Sequence, residues 1–567
     1  MAGLDATERS LVRGTPPHRW GALSVLCVTL LLISLDNTVL NVALPSIARR
    51  LGASSSELQW MVDAYAVVFA GLLLSLGALG DRVGRKWVFM AGLLVFGGGS
   101  LFAAWSWSPL ALTVSRAIMG VGAAALMPCT LSILTNVFIA EHDRVRAIGI
   151  WSGTAGIGVA LGPILGGLLL AHFWWGSVFL INVPIAILGF IASIWFVPNS
   201  KNPSSLRPDP VGSVLSMLGL GLLLWGIIEA PSRGWNSPYI IVSLIASSVV
   251  MAAFVIWERS INHPMLPLRF FARRRYSVAI CALALVLFSL LGMFFLMTQY
   301  LQFDLGYSPL EAGLRVAPVA LTLLVIAPLS VVAARSLGTK YVVSTGLGLV
   351  ALAFGLLSRT TVTGTYRDCI VAFTLVGVGV ALALAPCTES VMGSLPKNQA
   401  GVGSATSDTA MQVGGALGVG ILGTVLNLRY QSLMAHAVAH ARVSVAVKQL
   451  IEGSLGAAMA VAHRAPKNLG GELASLARHA FVSGMDEAMV IAAVVVLAAA
   501  LVVLVRLPNR GGEWPNNSIL RAKPRCHSPW RSRRRKSSTP SPAAARAMAA
   551  MTALLAQSTG VAGAAAI

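Results

Sequence analysis

Apolar windows of about 20 residues recur along nearly the whole chain, each long enough to cross a hydrocarbon layer of about 30 Å as a helix. They predict fourteen spans, at 21–42, 60–79, 87–106, 110–136, 147–170, 176–197, 211–229, 239–257, 277–301, 313–334, 340–358, 369–392, 403–427 and 487–507. The polar turns between them carry the orientation. "DRVGRK" (81–86), "EHDRVR" (141–146), "SKNPSSLRPDP" (200–210), "RFFARRR" (269–275) and "RSLGTK" (335–340) fall on one side and alternate with sparsely basic turns such as "WSWSP" (105–109). Short basic loops mark the cytoplasmic face, so both termini are expected there. Arg49, Arg50 and the long outer segment 428–486 dilute the pattern, although long loops are exempt from the rule. The first apolar run leads into further spans rather than into a cleavage site and a polar domain, so no cleaved leader is expected.

The pattern also repeats within the chain. "GASSSELQWMVDAYA" from Gly52 returns as "GYSPLEAGLRVAPVA" from Gly306, and "VGRKWVFMAGL" from Val83 as "LGTKYVVSTGL" from Leu337, at one common offset. "GVGAAALMPCT" (120–130) returns as "GVGVALALAPCT" (377–388), and "IGVALGPILG" (157–166) as "VGGALGVGILG" (413–423). Two six-helix halves in the same order suit a transporter whose halves rock about a central cavity. The expected organisation is a cytoplasmic N-terminus (1–20), a first half (21–197), two inserted spans without a counterpart (211–257), a second half (277–507) containing the outer segment 428–486, and a basic tail (508–567).

Composition agrees with a polytopic membrane protein of all-α class: 56% of the 567 residues are hydrophobic and 11% charged. The net charge of +21 would fit a nucleic-acid binder, but the basic residues sit in loops and the tail rather than on one polar face. In the tail, "RAKPRCHSPWRSRRRK" (521–536) holds eight Lys or Arg and no acid. It is expected to be disordered, serving as a topogenic tail or drawn to anionic lipid. Amphipathic stretches of 428–486, such as "HRAPKNLGGELASLARHA" (463–480), suit the membrane surface. The six cysteines (Cys27, Cys129, Cys281, Cys369, Cys387, Cys526) have no paired spacing that reads as a metal or redox site. The dipeptide Gly-Lys is absent, which argues against an ATP-driven pump. No His lies in a span interior and no His/Cys/acid cluster has ligand spacing, so neither an enzyme nor a cofactor or metal is expected.

Polar positions inside the spans carry the chemistry. Asp36, in "SLDNTVLNVALP" (34–45), lies late in the first span, where a carboxylate is costly unless it faces a cavity, pairs or takes up a proton. Desolvation favours the neutral carboxyl group and a nearby cation favours the charged one, so such a group can exchange a proton for a cationic substrate. The alternative is a helix-end acid that reaches outer water. Arg116, in "SRAIMGVGAAALMP" (115–128), keeps its charge when buried and would tune neighbouring acids or pair with them structurally. In "GALGDRVGRKWVF" (77–89), Gly77, Gly80 and Gly84 permit a tight turn, and Asp81 stands near a helix N-terminus. In "GTAGIGVALGPILGG" (153–167), the small residues Gly158, Gly162, Gly166 and Gly167 allow close helix approach, and Pro163 removes a backbone donor. That stretch reads as a hinge or as a passive packing seam.

The loop "GALGDRVGRKWVF" resembles the signature between the second and third helices of the major facilitator superfamily. The resemblance implies that Asp81, Arg82, Arg85 and Lys86 belong to a charge network latching the cytoplasmic side in the outward-open state; an ordinary topogenic loop is the alternative. It implies proton transfer or carboxylate pairing for Arg116, and an antiporter-type fifth helix. "LDNTVLNVALP" (35–45), "FLINVPI" (179–185) and "TESVMGSLPKNQAGVGSATSDTAMQVGGALGVGILG" (388–423) look like the fourteen-helix drug:proton antiporter subfamily. The likeness covers about 22–507. It implies a multi-pass bacterial plasma (inner) membrane protein for proton-coupled multidrug efflux and antibiotic resistance. Glu389 and Asp408 match acidic positions of that pattern, with loop-proximal residues as the alternative; where many relatives carry an Arg after that Asp, this chain has Met411. Asp63, in "LQWMVDAYAVVF" (58–69), matches as well and is expected to line the outer mouth beside Trp60 and Tyr65 or to pack. The implied partners are lipophilic or cationic small molecules, protons and membrane lipids, not nucleic acid. An exporter of an endogenous lipid, metabolite or self-made antibiotic shares every motif, and a sensor or channel could share the fold.

Overall fold

The computed structural model describes residues 18–201, 208–261, 264–266, 268–395, 400–439 and 444–508. Fourteen helices in it are long and apolar enough to cross a membrane, and no strand occurs among the described residues. Helices are what hydrocarbon demands, because no water is present there to satisfy free backbone groups. In chain order they are α1 (Arg19–Leu51), α2 (Ser55–Val83), α3 (Arg85–Ala104), α4 (Pro109–Val137), α5 (Glu141–His172), α6 (Ser177–Phe196), α7 (Pro210–Arg233), α8 (Pro238–Ser260), α9 (Arg274–Asp304), α10 (Pro309–Leu337), α11 (Thr339–Leu357), α12 (Tyr366–Gly393) and α13 (Ala400–Val438). The short α14 (Val445–Gly453) and α15 (Leu455–Arg464) precede the last span, α16 (Lys467–Arg506).

The internal repeat is visible in the backbone. Gly52 closes α1 in the left-handed region (φ 65°), and Ser54 and Glu57 form a capping box at the start of α2. One repeat later Gly306 has φ 70°, and Ser308 and Glu311 cap α10 in the same way. Gly84 (φ 138°) and Gly338 (φ 98°) likewise terminate α2 and α10, each amide donating back into the preceding helix. These conformations favour glycine, and the caps satisfy amides that a helix start leaves free.

Two regions differ from the sequence-based expectation. α1 runs to Leu51 rather than ending near 42, with Pro45 inside the helix. The outer segment 428–486 is mostly helical: α13 continues to Val438, α14 and α15 follow, and α16 begins at Lys467. The basic tail with 521–536 lies outside the described residues.

In the first six helices, α2 and α3 pack on α4, and α1 packs on α5 and α6; in the later set, α9 packs on α13, α11 and α10 on α12, and α16 on α11 and α13. The inserted pair α7–α8 leans on α2 and α13. The outer side is taken as the one opposite the basic loops. There α5 and α10 meet backbone to backbone: a methyl group added at Gly313 would fall 2.1 Å from the Pro163 carbonyl oxygen, and one at Gly167 would fall 2.6 Å from that of Pro309. Gln302 Nε2 of α9 donates to the Val42 carbonyl at 2.9 Å, and Ser454 Oγ donates to that of Ala53 at 3.3 Å. Both bonds join the two sets of helices at their outer ends, so the described conformation is closed toward the outside.

Candidate functional site

Asp36 sits mid-helix, with α1 continuing about four turns beyond it. It is fully buried, which excludes the helix-end alternative. Arg116 of α4, also buried, donates Nη1 to Asp36 Oδ2. Its Nε donates to the Met61 carbonyl at 3.1 Å, and its guanidinium lies 4.3 Å from the Tyr65 ring centroid. Asn182 Nδ2 of α6 donates to Asp36 Oδ1 at 3.0 Å and stands 3.4 Å from Ser100 Oγ of α3. Both carboxylate oxygens are therefore engaged inside the first six-helix set. A buried ion pair has to meet the cost of desolvating two charges, and these added hydrogen bonds and the aromatic face offset it. Asn182 lies in "FLINVPI", where the sequence offered a polar residue inside an apolar run but no cue to its partner.

Asp63 is buried completely, and neither of its carboxylate oxygens has a hydrogen-bond partner among the described residues. It faces α13: a methyl group at Gly420 would lie 3.4 Å from Asp63 Oδ2 and 2.8 Å from Leu224 of α7. This is an enclosed seam, so of the two expected placements the packed one holds rather than the outer mouth. One turn earlier, Gln59 is also buried with both amide atoms unpartnered. Asp408 is half-buried in the inner third of α13, while Glu389 is exposed near the inner end of α12. Neither makes an ion pair among the described residues. The structure thus separates the five polar candidates: Asp36 and Arg116 form one unit, and Asp63, Asp408 and Glu389 stand apart from it.

At the loop 77–86, Asp81 Oδ1 accepts from Arg85 Nε at 2.7 Å. Arg85 Nη1 donates to the Ser132 carbonyl of α4 at 3.3 Å, and Lys86 Nζ donates to the Ile194 carbonyl of α6 at 2.8 Å. Gly77 and Gly80 lie against Pro128 and Cys129 of α4. Arg82 makes no ion pair among the described residues. These contacts tie α2, α3, α4 and α6 together and do not reach the later helices, in keeping with a conformation closed on the opposite side. The α5 stretch is a two-sided seam: Gly158, Gly162 and Gly166 abut Ser34, Thr38 and Val39 of α1, whereas Gly167 and Pro163 meet α10.

Fourteen membrane helices, a repeated half, buried acids on helix seams and closure at one side define a multi-pass membrane transporter. The chain belongs to the Major Facilitator Superfamily, whose family model matches residues 26–419. It is 36% identical over 504 residues to the "Multidrug efflux pump LfrA" of Mycolicibacterium smegmatis, covering 89% of this chain and 98% of that one. It is 32% identical to the "Methyl viologen resistance protein SmvA" of Salmonella typhimurium, covering 82% and 93%. A "Tetracenomycin C resistance and export protein" of Streptomyces glaucescens is 31% identical, covering 89% and 94%. Among solved structures, an inward-facing, unoccupied bacterial homolog of the human lysosomal transporter Spinster matches with TM-score 0.61 at 17% identity, covering 87% of this chain and 98% of that one. The partially occluded inward-open xylose transporter XylE from E. coli matches with TM-score 0.56 at 13% identity, covering 88% and 100%. The fold is the major facilitator fold with two inserted helices, and the protein is a multi-pass plasma-membrane transporter, not an enzyme.

Proposed function

We propose that the chain is a proton-coupled antiporter that exports amphipathic, cationic small molecules by alternating access. The observation that carries this reading is a pair of membrane-embedded acids that make no ion pair among the described residues: Asp63 enclosed between α2 and α13, and Asp408 half-buried on α13. A carboxyl group there holds a proton or meets a cation, and exchange of one for the other is antiport. Asp36 acts differently. Its two oxygens are taken by Arg116 and Asn182, so it organises α1, α4 and α6 and responds to charge nearby rather than gripping cargo. The halves 21–197 and 277–507 rock on the α5–α10 seam, with the α1–α5 seam holding the first half together, and the Asp81–Arg85–Lys86 network engages the second half when the inner side closes. A relative named as a multidrug efflux pump supports export of small molecules, and one named for resistance to methyl viologen, a dication, supports a cationic cargo. A relative named for tetracenomycin C export supports a second reading, export of a self-made antibiotic.

The test uses energised everted vesicles taking up a fluorescent lipophilic cation. Uptake is expected to stop when nigericin collapses the pH gradient and to be lost in Asp408→Asn. Gradient-independent uptake would remove proton coupling, and absence of uptake by the wild type would favour the self-made-antibiotic reading.

A further inference from the structure

The inserted pair α7–α8 has no counterpart in the repeat, and its hydrogen bonds are unevenly placed. At its inner end α7 is tied to α2: Ser75 Oγ donates to the Asp209 carbonyl at 3.0 Å and lies 2.6 Å from Ser213 Oγ. At its outer end it is tied to α2 again, because Ser56 Oγ donates to the Ile228 carbonyl at 3.2 Å. Its described hydrogen bond to the second half is at that outer end alone, where Thr424 Oγ1 of α13 donates to the Ile227 carbonyl at 3.0 Å.

The sequence explains why that carbonyl is open to a bond from outside. In a helix the Ile227 carbonyl would accept from the amide of residue 231, and residue 231 is proline, within α7. The acceptor is thus freed in an apolar setting where an unmet carbonyl is costly, and Thr424, itself buried, supplies the donor. At the same level α2 and α13 touch without a polar bond: a methyl group at Gly423 would lie 1.9 Å from Gln59 Nε2, yet both Gln59 amide atoms are unpartnered. The polar connection between these two helices runs through α7. One helical turn inward, Leu224 and Ile228 of α7 close over Gly420, beside Asp63.

We propose that α7 is an outer clasp, carried by the first half and fastened to the second by the Thr424–Ile227 bond, which holds the α2–α13 seam shut over Asp63 while the inner side is open. Opening to the outside breaks this bond along with the Gln302–Val42 and Ser454–Ala53 bonds, and the inner tie at Ser75 travels with α2. Thr424 and Ser56 are positioning residues in this scheme. The clasp deepens the alternating-access reading and rests on it.

Spin labels at Leu168→Cys on α5 and Leu314→Cys on α10, both exposed near the outer ends, report the outer gap in the full-length protein with its six native cysteines replaced. The parent should show mainly the short distance. Thr424→Val should raise the ratio of long to short distances about fivefold, the worth of one net hydrogen bond. Thr424→Ser should restore the parent distribution. Pro231→Ala combined with Thr424→Val gives Ile227 a helical donor, so a variant that merely misfolded would be rescued, whereas an unfastened clasp keeps the long distance. An unchanged distribution in folded Thr424→Val, or its return to the parent in the double variant, overturns the clasp. Vesicle uptake by the parent is scored in parallel. A shifted distance with no parent uptake contradicts the cationic-cargo reading and leaves the clasp standing, and uptake without the shift does the reverse.

Discussion

Two buried carboxylates, Asp36 on α1 and Asp63 on α2, lie in the same half of the molecule and are treated in opposite ways. Asp36 has an arginine, an asparagine amide and, through Arg116, an aromatic face around it. Asp63 lies beside Gly420 and has no hydrogen-bond partner among the described residues. The first environment satisfies both carboxylate oxygens, and the second leaves both without a partner. Cost of burial alone therefore does not distinguish the two acids; on the proposed reading the satisfied one is a structural strut and the unsatisfied one is the switch.

Mutations should separate the two roles. Arg116→Ala removes the cation and leaves Asp36 buried alone, so a loss of about 3–5 kcal/mol is expected, read as a large fall in melting temperature in detergent. Asn182→Ala removes one hydrogen bond to the same carboxylate and should cost about 1.5–3 kcal/mol by the same assay. Gly162→Ala pushes a methyl group toward Thr38 and should cost about 1–3 kcal/mol, with α1 and α5 displaced from each other. Asp63→Asn should change stability by less than about 1 kcal/mol, since no ion pair is broken, while abolishing proton-driven uptake. If Asp63→Asn melts as early as Arg116→Ala, the distinction between strut and switch collapses.

The spans were legible because hydrocarbon imposes a length and an apolar content on each helix, and the repeat was legible because its glycine and capping positions recur in register. The extension of α1 through "PSIARR" was not, since a proline and paired arginines in sequence look like a turn, and only packing against other helices makes them helical. Segment 428–486 contains helices too short or too polar to register as spans. At the site, the resemblance placed Asp36 and Arg116, but their mutual contact and the Asn182 bond depend on three helices meeting. For Asp63 the family pattern allowed either the outer mouth, beside Trp60 and Tyr65, or packing, and nothing local chose between them. Its enclosure depends on Gly420 and on the inserted helix α7, which no local pattern connects to it.

Proton release on cargo binding tests the central claim most directly. Purified protein at neutral pH in weakly buffered detergent solution, with a pH-indicating dye, is titrated with a lipophilic dication. The wild type should release protons as the cation binds, and Asp63→Asn with Asp408→Asn should release none. Equal release by both proteins would contradict the account, because the exchanged proton would then reside elsewhere.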